Sequence, residues 1–353
     1  MTAPATHDTL ATAAIGEGSD GRSTAITLIG LLLVTAVMAG ASMVLQIGAL
    51  RFMTDFLLYL SLATVWNLLA GYGGLVSVGQ QAYVGLGAYA FVVAFSFWGL
   101  PLPVAIIFGA AVALVAGLVF SSLVLRMAGP HFAIGTWVMA ELCLLVVANW
   151  PYLGGGSGLS IPASIVRQIS PDRAVREVII YLYALGVTAV AIGGTYLLLR
   201  SKWGLALTAM RDAPRAAESL GINARLIRIM VSVFCAALAG AVGGLIFLSK
   251  LRMTPDSAFS LIDWTAYVIF IVIIGGIRRI EGPIIGTIVF FTLRGFLAQS
   301  GPYYLIVLGV LAVAVMVMAP DGLWGLFARR FKVEIFSLTR QAPVRRTIET
   351  PKE

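Results

Sequence analysis

The chain has 353 residues, of which 59% are hydrophobic and only 11% are charged. Soluble domains carry about 25% charged residues, so this composition excludes an ordinary water-exposed surface and indicates a protein that faces lipid. The net charge is +8. In a membrane protein such an excess is explained by cytoplasmic loops, where Lys and Arg collect, more simply than by nucleic-acid binding. The two cysteines, Cys143 and Cys235, both lie in apolar runs and indicate neither a disulfide framework nor a metal site.

Apolar segments long enough to form membrane-spanning helices recur along the chain. A helix needs about 20 mostly apolar residues to cross a bilayer. The first apolar run continues to Leu50, too far for a signal peptide, so we expect a retained first span. The sequence predicts an all-α, polytopic transmembrane helical bundle of about ten spans, or of eight if two stretches are re-entrant. The ten predicted spans are 26–48, 55–74, 77–98, 102–125, 132–150, 178–199, 227–249, 263–277, 282–300 and 303–327.

The predicted spans divide the chain into three parts. A polar, disordered N-terminal tail is predicted over 1–25, the transmembrane domain over 26–328, and a basic C-terminal tail over 329–353. Most of the basic residues lie inside if the segment 200–228 is cytoplasmic. This orientation predicts that both termini are cytoplasmic and that the Gly-rich loop over 151–177 is on the outer side.

Several catalytic motifs are missing from the sequence. No GxxxxGK[ST] phosphate loop and no HExxH zinc motif occurs, and His7 and His131 are too few for a histidine-based cluster. Glu141 is the only clear acidic residue within a predicted span, whereas ion-driven pumps need more ionisable groups at membrane depth. We therefore predict no catalytic residue, no metal ligand and no cofactor-binding residue in this chain.

The segment 200–228 carries the signals of a short helix. Asp212 is expected to cap it, Pro214 suits its first turn and Gly221 suits its end, which predicts a helix over 213–220. Two interpretations stay open: a rigid knob that docks into the socket of a partner, and a solvated amphipathic loop that lies on the membrane. The side chains expected on the helix surface are Ala216, Ala217 and Leu220.

Glycines and glutamines crowd the segment 71–90 at membrane depth. Non-helical backbone is tolerated there only where it is buried or lines a water-filled cavity, and Gln side chains are costly in lipid. The segment is interpreted either as the lining of a translocation path or as a glycine-mediated helix crossing with Gln as interhelical glue. For Glu141, a transport role and a structural hydrogen bond both stay open. The path candidates are Gly79, Gln80, Gln81, Tyr83, Thr136 and Glu141.

A weak internal repeat is visible in the sequence. Leu69–Leu75 resembles Leu238–Leu245 with one insertion, and the two segments run in opposite directions in the predicted topology. Inverted repeats are common in transporters and place the substrate path at the repeat interface. The alternative is a chance similarity between two Gly-rich helices, and the sequence leaves the choice open.

Four stretches resemble motifs of the LivM-type permeases of the branched-chain amino acid ABC importer family. They occur in order and at fitting spacings, within a likeness that covers about 50–328, and are Ser77–Tyr89, His131–Thr136, Ser219–Ile222 and Pro320–Gly325.

The predicted loop helix is similar to the coupling helix of ABC permeases, whose signature is E-A-A-x-x-x-G. Ala216, Ala217 and Gly221 match the signature, whereas Arg215 stands in place of the Glu and the expected I-x-L-P extension is absent. The resemblance implies that this helix couples the permease to an ATPase. The residues implied in coupling are Arg211, Arg215, Ala216, Ala217, Glu218 and Gly221.

The resemblance implies a transporter subunit of the bacterial inner membrane that is not itself an enzyme. Such a permease translocates branched-chain or related amino acids by ATP-driven alternating access. Its implied partners are a LivH-like sister permease, two ABC ATPase subunits and a periplasmic substrate-binding protein that docks on the outer rim, within the lipid bilayer and without nucleic acid. ATP and Mg are implied on the ATPase subunits, and no cofactor on this chain.

Three departures from the family pattern leave the substrate open. Gln80 replaces a His, Gln81 replaces a Gly, and His131 replaces a Tyr. Because these changes alter the polarity of the predicted path, a permease for urea, amides or another small polar solute is an alternative. A stand-alone channel or secondary transporter is another. An intramembrane enzyme or scaffold is disfavoured by the lack of a catalytic cluster.

Overall fold

The computed structural model describes residues 17–297, 303–319 and 321–331, and these residues are almost entirely helical. The fold class is confirmed as an all-α, polytopic bundle. Eight of the described helices are long and apolar enough to cross a membrane: Thr24–Ala41, Ile47–Tyr72, Leu102–Val124, Pro130–Ala148, Arg173–Arg200, Ala224–Lys250, Pro255–Gly275 and Leu305–Ala328.

The described residues of the first half form six α-helices, two of which continue into π-helical turns at Leu68–Tyr72 and Val93–Phe97. The helices are α1 (Glu17–Ala41), α2 (Ile47–Asn67), α3 (Gln80–Val92), α4 (Leu102–Val124), α5 (Pro130–Ala148) and α6 (Ala163–Ile169).

The described residues of the second half form nine α-helices, and a π-helical turn at Ile262–Ala266 leads into the third membrane helix of this half. The helices are α7 (Arg173–Arg200), α8 (Lys202–Asp212), α9 (Pro214–Ser219), α10 (Ala224–Lys250), α11 (Pro255–Ala258), α12 (Tyr267–Gly275), α13 (Gly282–Leu297), α14 (Tyr303–Met318) and α15 (Gly322–Phe331).

Two of the ten predicted spans are short helices in the structure. The segment predicted over 77–98 is α3 with its π-helical continuation, and it begins only at Gln80 because 73–79 is not helical. Of the segment predicted over 282–300 the structure describes 282–297, and these 16 residues form α13, with a length of about 24 Å. Among the described residues, eight helices of full length and two shorter helices, α3 and α13, thus correspond to the ten predicted spans.

The predicted tails lie mostly outside the described residues. Helix α1 begins at Glu17, within the range 1–25 assigned to the N-terminal tail. Most of the predicted C-terminal tail, 329–353, lies outside the described residues.

Helix α10 lies at the centre of the bundle, packed against α2, α3 and α4. Its most apolar 18-residue window is 83% buried, compared with 22% for α5 and none for α1. Glycines allow this packing: a Cβ added to Gly109 would lie 2.7 Å from the carbonyl oxygen of Gly87, and Gly87 in turn lies against Gly240. Small residues let helix backbones approach closely in a bilayer, where packing replaces the hydrophobic drive.

The predicted repeat segments have different backbone conformations. Leu69–Leu75 covers the end of the π-helical turn and the start of the non-helical stretch, whereas Leu238–Leu245 is regular α-helix inside α10. The sequence similarity between them therefore does not correspond to one shared local structure.

A buried amide joins α2 to the connection between α12 and α13. The side chain of Asn67 donates from Nδ2 to the carbonyl oxygen of Arg279 at 2.8 Å and accepts at Oδ1 from the backbone N–H of Arg278 at 3.0 Å. Asn67 is 2% exposed, so these bonds supply the partners that a buried amide needs. They also hold a loop in which Arg278 has a positive φ of 70°.

The loop 151–177 is attached to the end of α10 by a two-stranded ladder. Strand β1 (Leu159–Ser160) pairs antiparallel with β2 (Arg252–Met253), and Leu159 lies opposite Met253. The chain enters β1 from Gly158, whose φ of 74° an L side chain rarely adopts.

Candidate functional site

The interruption between α2 and α3 forms one wall of a cavity inside the bundle. After the π-helical turn at Leu68–Tyr72, the residues 73–79 leave helical geometry before α3 begins. The indole Nε1 of Trp66 donates to the carbonyl oxygen of Ser77 at 2.8 Å, which satisfies one of the backbone groups that the interruption releases. Gly73, Leu75, Ser77 and Gly79 are buried in protein here, as membrane depth requires of non-helical backbone, whereas Gly74 and Val76 are exposed.

Helix α5 holds the same interruption from the other side. The backbone N–H of Val78 donates to Oγ1 of Thr136 at 3.0 Å, and that hydroxyl donates in turn to the carbonyl oxygen of Ala133 at 2.8 Å. A Cβ added to Gly79 would lie 3.0 Å from the Cβ of Thr136 and would overlap its carbonyl group. Only glycine therefore lets the chain pass α5 at this point.

The cavity is narrow and mostly apolar. It has about 30 Å³ of space open to the centre of a water molecule, enough for about two waters. It is too small for an amino acid in this conformation. The lining residues are Val65, Trp66, Leu69, Ser77, Gly79, Gln80, Ala82, Tyr83, Phe120, Ser121, Val124, Phe132, Thr136, Met139, Ser232 and Cys235.

Gln80 brings an unpartnered acceptor to the cavity wall. Its Nε2 donates to the carbonyl oxygen of Leu62 at 3.1 Å, while its Oε1 has no hydrogen-bond partner in the described chain. The residue is only 5% exposed, and a buried amide oxygen is costly unless a donor satisfies it. Gln80 can thus accept a hydrogen bond from an N–H or O–H group of a molecule in the cavity.

Gln81 faces a different part of the protein. It is fully buried, its Oε1 accepts from the hydroxyl of Thr265, and its backbone N–H donates to that hydroxyl at 3.3 Å. Thr265 belongs to the π-helical turn before α12, so this pair joins α3 to α12. For Gln81 the geometry favours the interhelical role over the path-lining role.

Of the six path candidates, the structure brings four to this cavity: Gly79, Gln80, Tyr83 and Thr136. Glu141 lies apart from it, half-exposed on α5, and accepts a hydrogen bond of 3.1 Å from Nε1 of Trp137 one turn away. Cys235, for which the sequence indicates neither a disulfide nor a metal site, lines the cavity and donates from Sγ to the carbonyl oxygen of Val65. No signal in the sequence distinguished it from Cys143.

The loop 200–228 folds into two short helices, α8 and α9. Gly221 follows the end of α9 and has a φ of 79°, as expected for a helix-terminating glycine. The expected capping role of Asp212 is wrong. The N-cap of α9 is Ala213 without a side-chain bond, and the Asp212 carboxylate instead accepts from Nε of Arg211 at 2.8 Å.

The surface of α9 also differs from the expected one. Ala216, Glu218 and Leu220 are exposed, Leu220 to 81%, but Ala217 is 2% exposed. Ala217 packs in an apolar cluster with Leu207 and Met210 of α8, and the same cluster contains several residues of the cavity wall: Val65, Leu69, Val124, Phe132 and Cys235. The loop is therefore continuous with the packing around the cavity. The backbone of Arg215 lies within α9.

Arg211 makes the most direct contact between this loop and the interrupted segment. Its Nη1 donates to the carbonyl oxygen of Gly71 at 2.6 Å, in the π-helical turn that ends α2. A Cβ added to Gly74 would lie 3.0 Å from Cγ of Arg211, so the arginine stem lies close against the next turn as well. The sequence indicates that Arg211 lies in the loop, but it does not indicate the contacts of this side chain with Gly71 and Gly74.

A family model described as "Branched-chain amino acid transport system / permease component" matches residues 48–316. The chain is 28% identical to the high-affinity branched-chain amino acid transport system permease protein LivM of Escherichia coli (strain K12), over 78% of this chain and 70% of that protein. The Salmonella typhimurium LivM is 26% identical over the same shares of the two chains.

A probable branched-chain amino acid transport permease protein, LivH of Methanocaldococcus jannaschii, is 24% identical over 72% of this chain and 84% of that protein. No solved structure matches the chain. The match to the family model extends over most of the sequence, and together with the LivM relatives and the apolar spans it indicates a multi-pass protein of the bacterial inner membrane. The chain belongs to the family of permease components of branched-chain amino acid transport systems, and the resemblance to LivM-type permeases is confirmed.

Proposed function

We propose that this chain is one transmembrane permease subunit of an ATP-binding-cassette importer for branched-chain or related amino acids. ATP and Mg bind to two separate ATPase subunits, and this chain binds no cofactor of its own. A LivH-like sister permease completes the membrane domain, and a periplasmic binding protein delivers the substrate. Both termini and the loop 200–228 are cytoplasmic in this proposal.

The hydrogen bond between Arg211 and the Gly71 carbonyl carries the proposal, because it joins the loop to the segment that forms the cavity wall. A displacement of α9 by an ATPase reaches α8 through the packing of Ala217 against Leu207 and Met210. From α8 it reaches the π-helical turn through Arg211. The residues 73–79 and the start of α3 then follow, since they are directly attached to that turn.

Alternating access requires that the cavity be open to one side at a time, and the narrow cavity fits a closed intermediate. Its apolar lining suits an aliphatic side chain, with Val65, Leu69, Phe120 and Phe132 among the lining residues. The free Oε1 of Gln80 suits an N–H donor such as an α-ammonium group. The apolar lining supports an amino acid with an aliphatic side chain over urea or a simple amide as the substrate, whereas the acceptor on Gln80 suits any of these N–H donors.

The test is coupled transport by the complete importer in proteoliposomes. Arg211→Ala removes a charge-assisted hydrogen bond, typically about 1.5–3 kcal/mol, and we expect ATP-dependent leucine uptake to fall at least about tenfold while ATP hydrolysis continues. Arg225→Ala is the matched control, because Arg225 is exposed at the start of α10. Equal uptake by both variants would remove the proposed coupling route.

A simpler experiment distinguishes the proposed importer subunit from a stand-alone channel or secondary transporter. Purified chain alone in liposomes conducts no leucine under our proposal, even with an imposed proton or sodium gradient. Flux in that preparation would assign transport to this chain without partners. Purification of the tagged chain in mild detergent is expected to recover the sister permease and two nucleotide-binding subunits.

A further inference from the structure

A second, polar cavity lies at the opposite end of α2 and α10 from the loop 200–228. It has about 50 Å³ of space open to the centre of a water molecule, which corresponds to a few water molecules or one small charged group. Its lining residues are Asp55, Leu58, Tyr59, Ile246, Ser249, Lys250, Asp263, Trp264 and Arg294.

Two carboxylates and two cations face this cavity from four separate elements. Asp55 lies on α2, Lys250 at the end of α10, Asp263 in the π-helical turn before α12, and Arg294 on α13. Within the described part of the chain, none of these four side chains forms an ion pair with another at 4.0 Å or less. By contrast, Arg51 binds Glu177 directly on the same side of the bundle.

Opposite charges that surround a cavity without pairing are available to a ligand. Charged groups in membrane segments are costly and are typical of substrate paths. A carboxylate accepts hydrogen bonds from an ammonium group, and Lys or Arg donates to a carboxylate, so the set of charges is complementary to a zwitterion. A ligand with only one sign of charge would be repelled by the two groups of the four that carry the same sign.

Aromatic and aliphatic residues complete the cavity. The Nζ of Lys250 lies 4.8 Å from the ring centre of Trp264, a cation–π contact that holds the ammonium at the wall. Tyr59 packs beside the same indole at 5.8 Å between ring centres, and Leu58 and Ile246 supply apolar surface. The cavity thus offers charges for the head of an amino acid and an apolar surface beside them.

The geometry points to an outer receiving site for the α-ammonium and α-carboxylate groups of an amino acid, before it moves on to the cavity at Gln80. This inference rests on the proposed function, which makes the substrate an amino acid and this end of the bundle the outer side. Asp55 precedes Val65 of the Gln80 cavity by ten residues on α2, so the two sites are about 15 Å apart along the axis of this helix.

The test is ligand binding to the assembled importer in nanodiscs, without the periplasmic protein, by saturation-transfer NMR with leucine. We expect leucine to bind weakly, and N-acetylleucine and leucine amide, which each lack one head-group charge, to bind at least about tenfold more weakly. Asp263→Asn and Arg294→Gln should each abolish the leucine signal, and Arg294→Lys should retain part of it. Asp256→Asn is the matched control, because Asp256 is exposed nearby and does not line the cavity.

Assembly of each variant complex and its basal ATP hydrolysis are the controls for folding, since neither requires a ligand in the cavity. Unchanged leucine binding by Asp263→Asn would overturn the inference, and so would equal binding of all three ligands. Loss of affinity for the periplasmic protein without any change in leucine binding would assign the charges to protein docking instead. In each of these cases ATP-dependent leucine uptake by the wild-type importer would leave the proposed function standing.

Discussion

Ala216 and Ala217 are neighbours in α9, yet Ala216 faces solvent and Ala217 is buried against α8. Substitutions at Ala216 therefore test contact with a partner, whereas substitutions at Ala217 test the packing of the loop itself. Their contrast provides the first of four experiments on the described residues.

Ala216→Leu and Ala217→Leu are expected to fail in different ways. Leucine at 217 overpacks the cluster around Leu207, a change that typically costs about 1–3 kcal/mol, and should lower the thermal unfolding temperature of the purified chain. Leucine at 216 should leave unfolding unchanged and weaken the binding of the ATPase subunits. Thermal unfolding in detergent and co-purification measure the two effects, and identical behaviour of the variants would contradict the assignment.

The pair formed by Gln81 and Thr265 should behave as one energetic unit. Gln81→Leu and Thr265→Val each leave a buried polar partner unsatisfied, at a cost of about 1–3 kcal/mol. The double variant removes both partners, so we expect it to be less destabilised than the sum of the two single variants. A double-mutant cycle on the unfolding free energy measures this coupling, and strict additivity would argue against the pair.

Gly79→Ala should disturb the junction between the interrupted segment and α5. The new methyl group would press on the backbone of Thr136, which cannot move without shifting α5. We expect reduced yield of folded protein and a lower unfolding temperature. Gly186→Ala is the control, since a Cβ at Gly186 meets nothing within 4 Å and alanine is favoured over glycine inside a helix. Equal stability of the two variants would show that the contact at Gly79 is dispensable.

Gln80→Leu should impair transport much more than folding. It removes one hydrogen bond, to Leu62, worth about 1 kcal/mol, and it removes the free acceptor from the cavity. ATP-dependent leucine uptake is expected to fall at least about tenfold, with little change in unfolding temperature. Met139→Leu, an apolar exchange in the same lining, should transport normally. Normal uptake by Gln80→Leu would place the substrate path elsewhere.

Much of the fold follows from composition and periodicity, because long apolar runs have few alternatives in a bilayer. The helix end at Gly221 was also predictable, since glycine adopts its positive φ without strain. The capping role of Asp212 was not, because its carboxylate binds the neighbouring Arg211 and this competition depends on the fold. The π-helical turn at Leu68–Tyr72 likewise depends on tertiary packing and has no reliable local signature.

The candidate site was predictable as a segment and not as a set of side chains. Gln80 and Gln81 are adjacent and chemically identical, but consecutive helical residues point about 100° apart, so one faces the cavity and the other faces Thr265. The charged cavity was not predicted because Asp55 and Arg294 are far apart in sequence and meet only in the folded bundle.

The ladder between Leu159 and Met253 has a consequence for communication across the membrane. It joins the loop 151–177, which is the outer rim in the proposed topology, to the C-terminal end of α10, and α10 begins at Ala224, at the end of the loop 200–228. The 27 residues between them form one continuous helix, a rod of about 40 Å. Under the proposed function, a tilt imposed on this rod by the ATPases arrives at the rim without passing through a flexible joint. The binding protein seated there would thereby sense the nucleotide state on the far side of the bilayer.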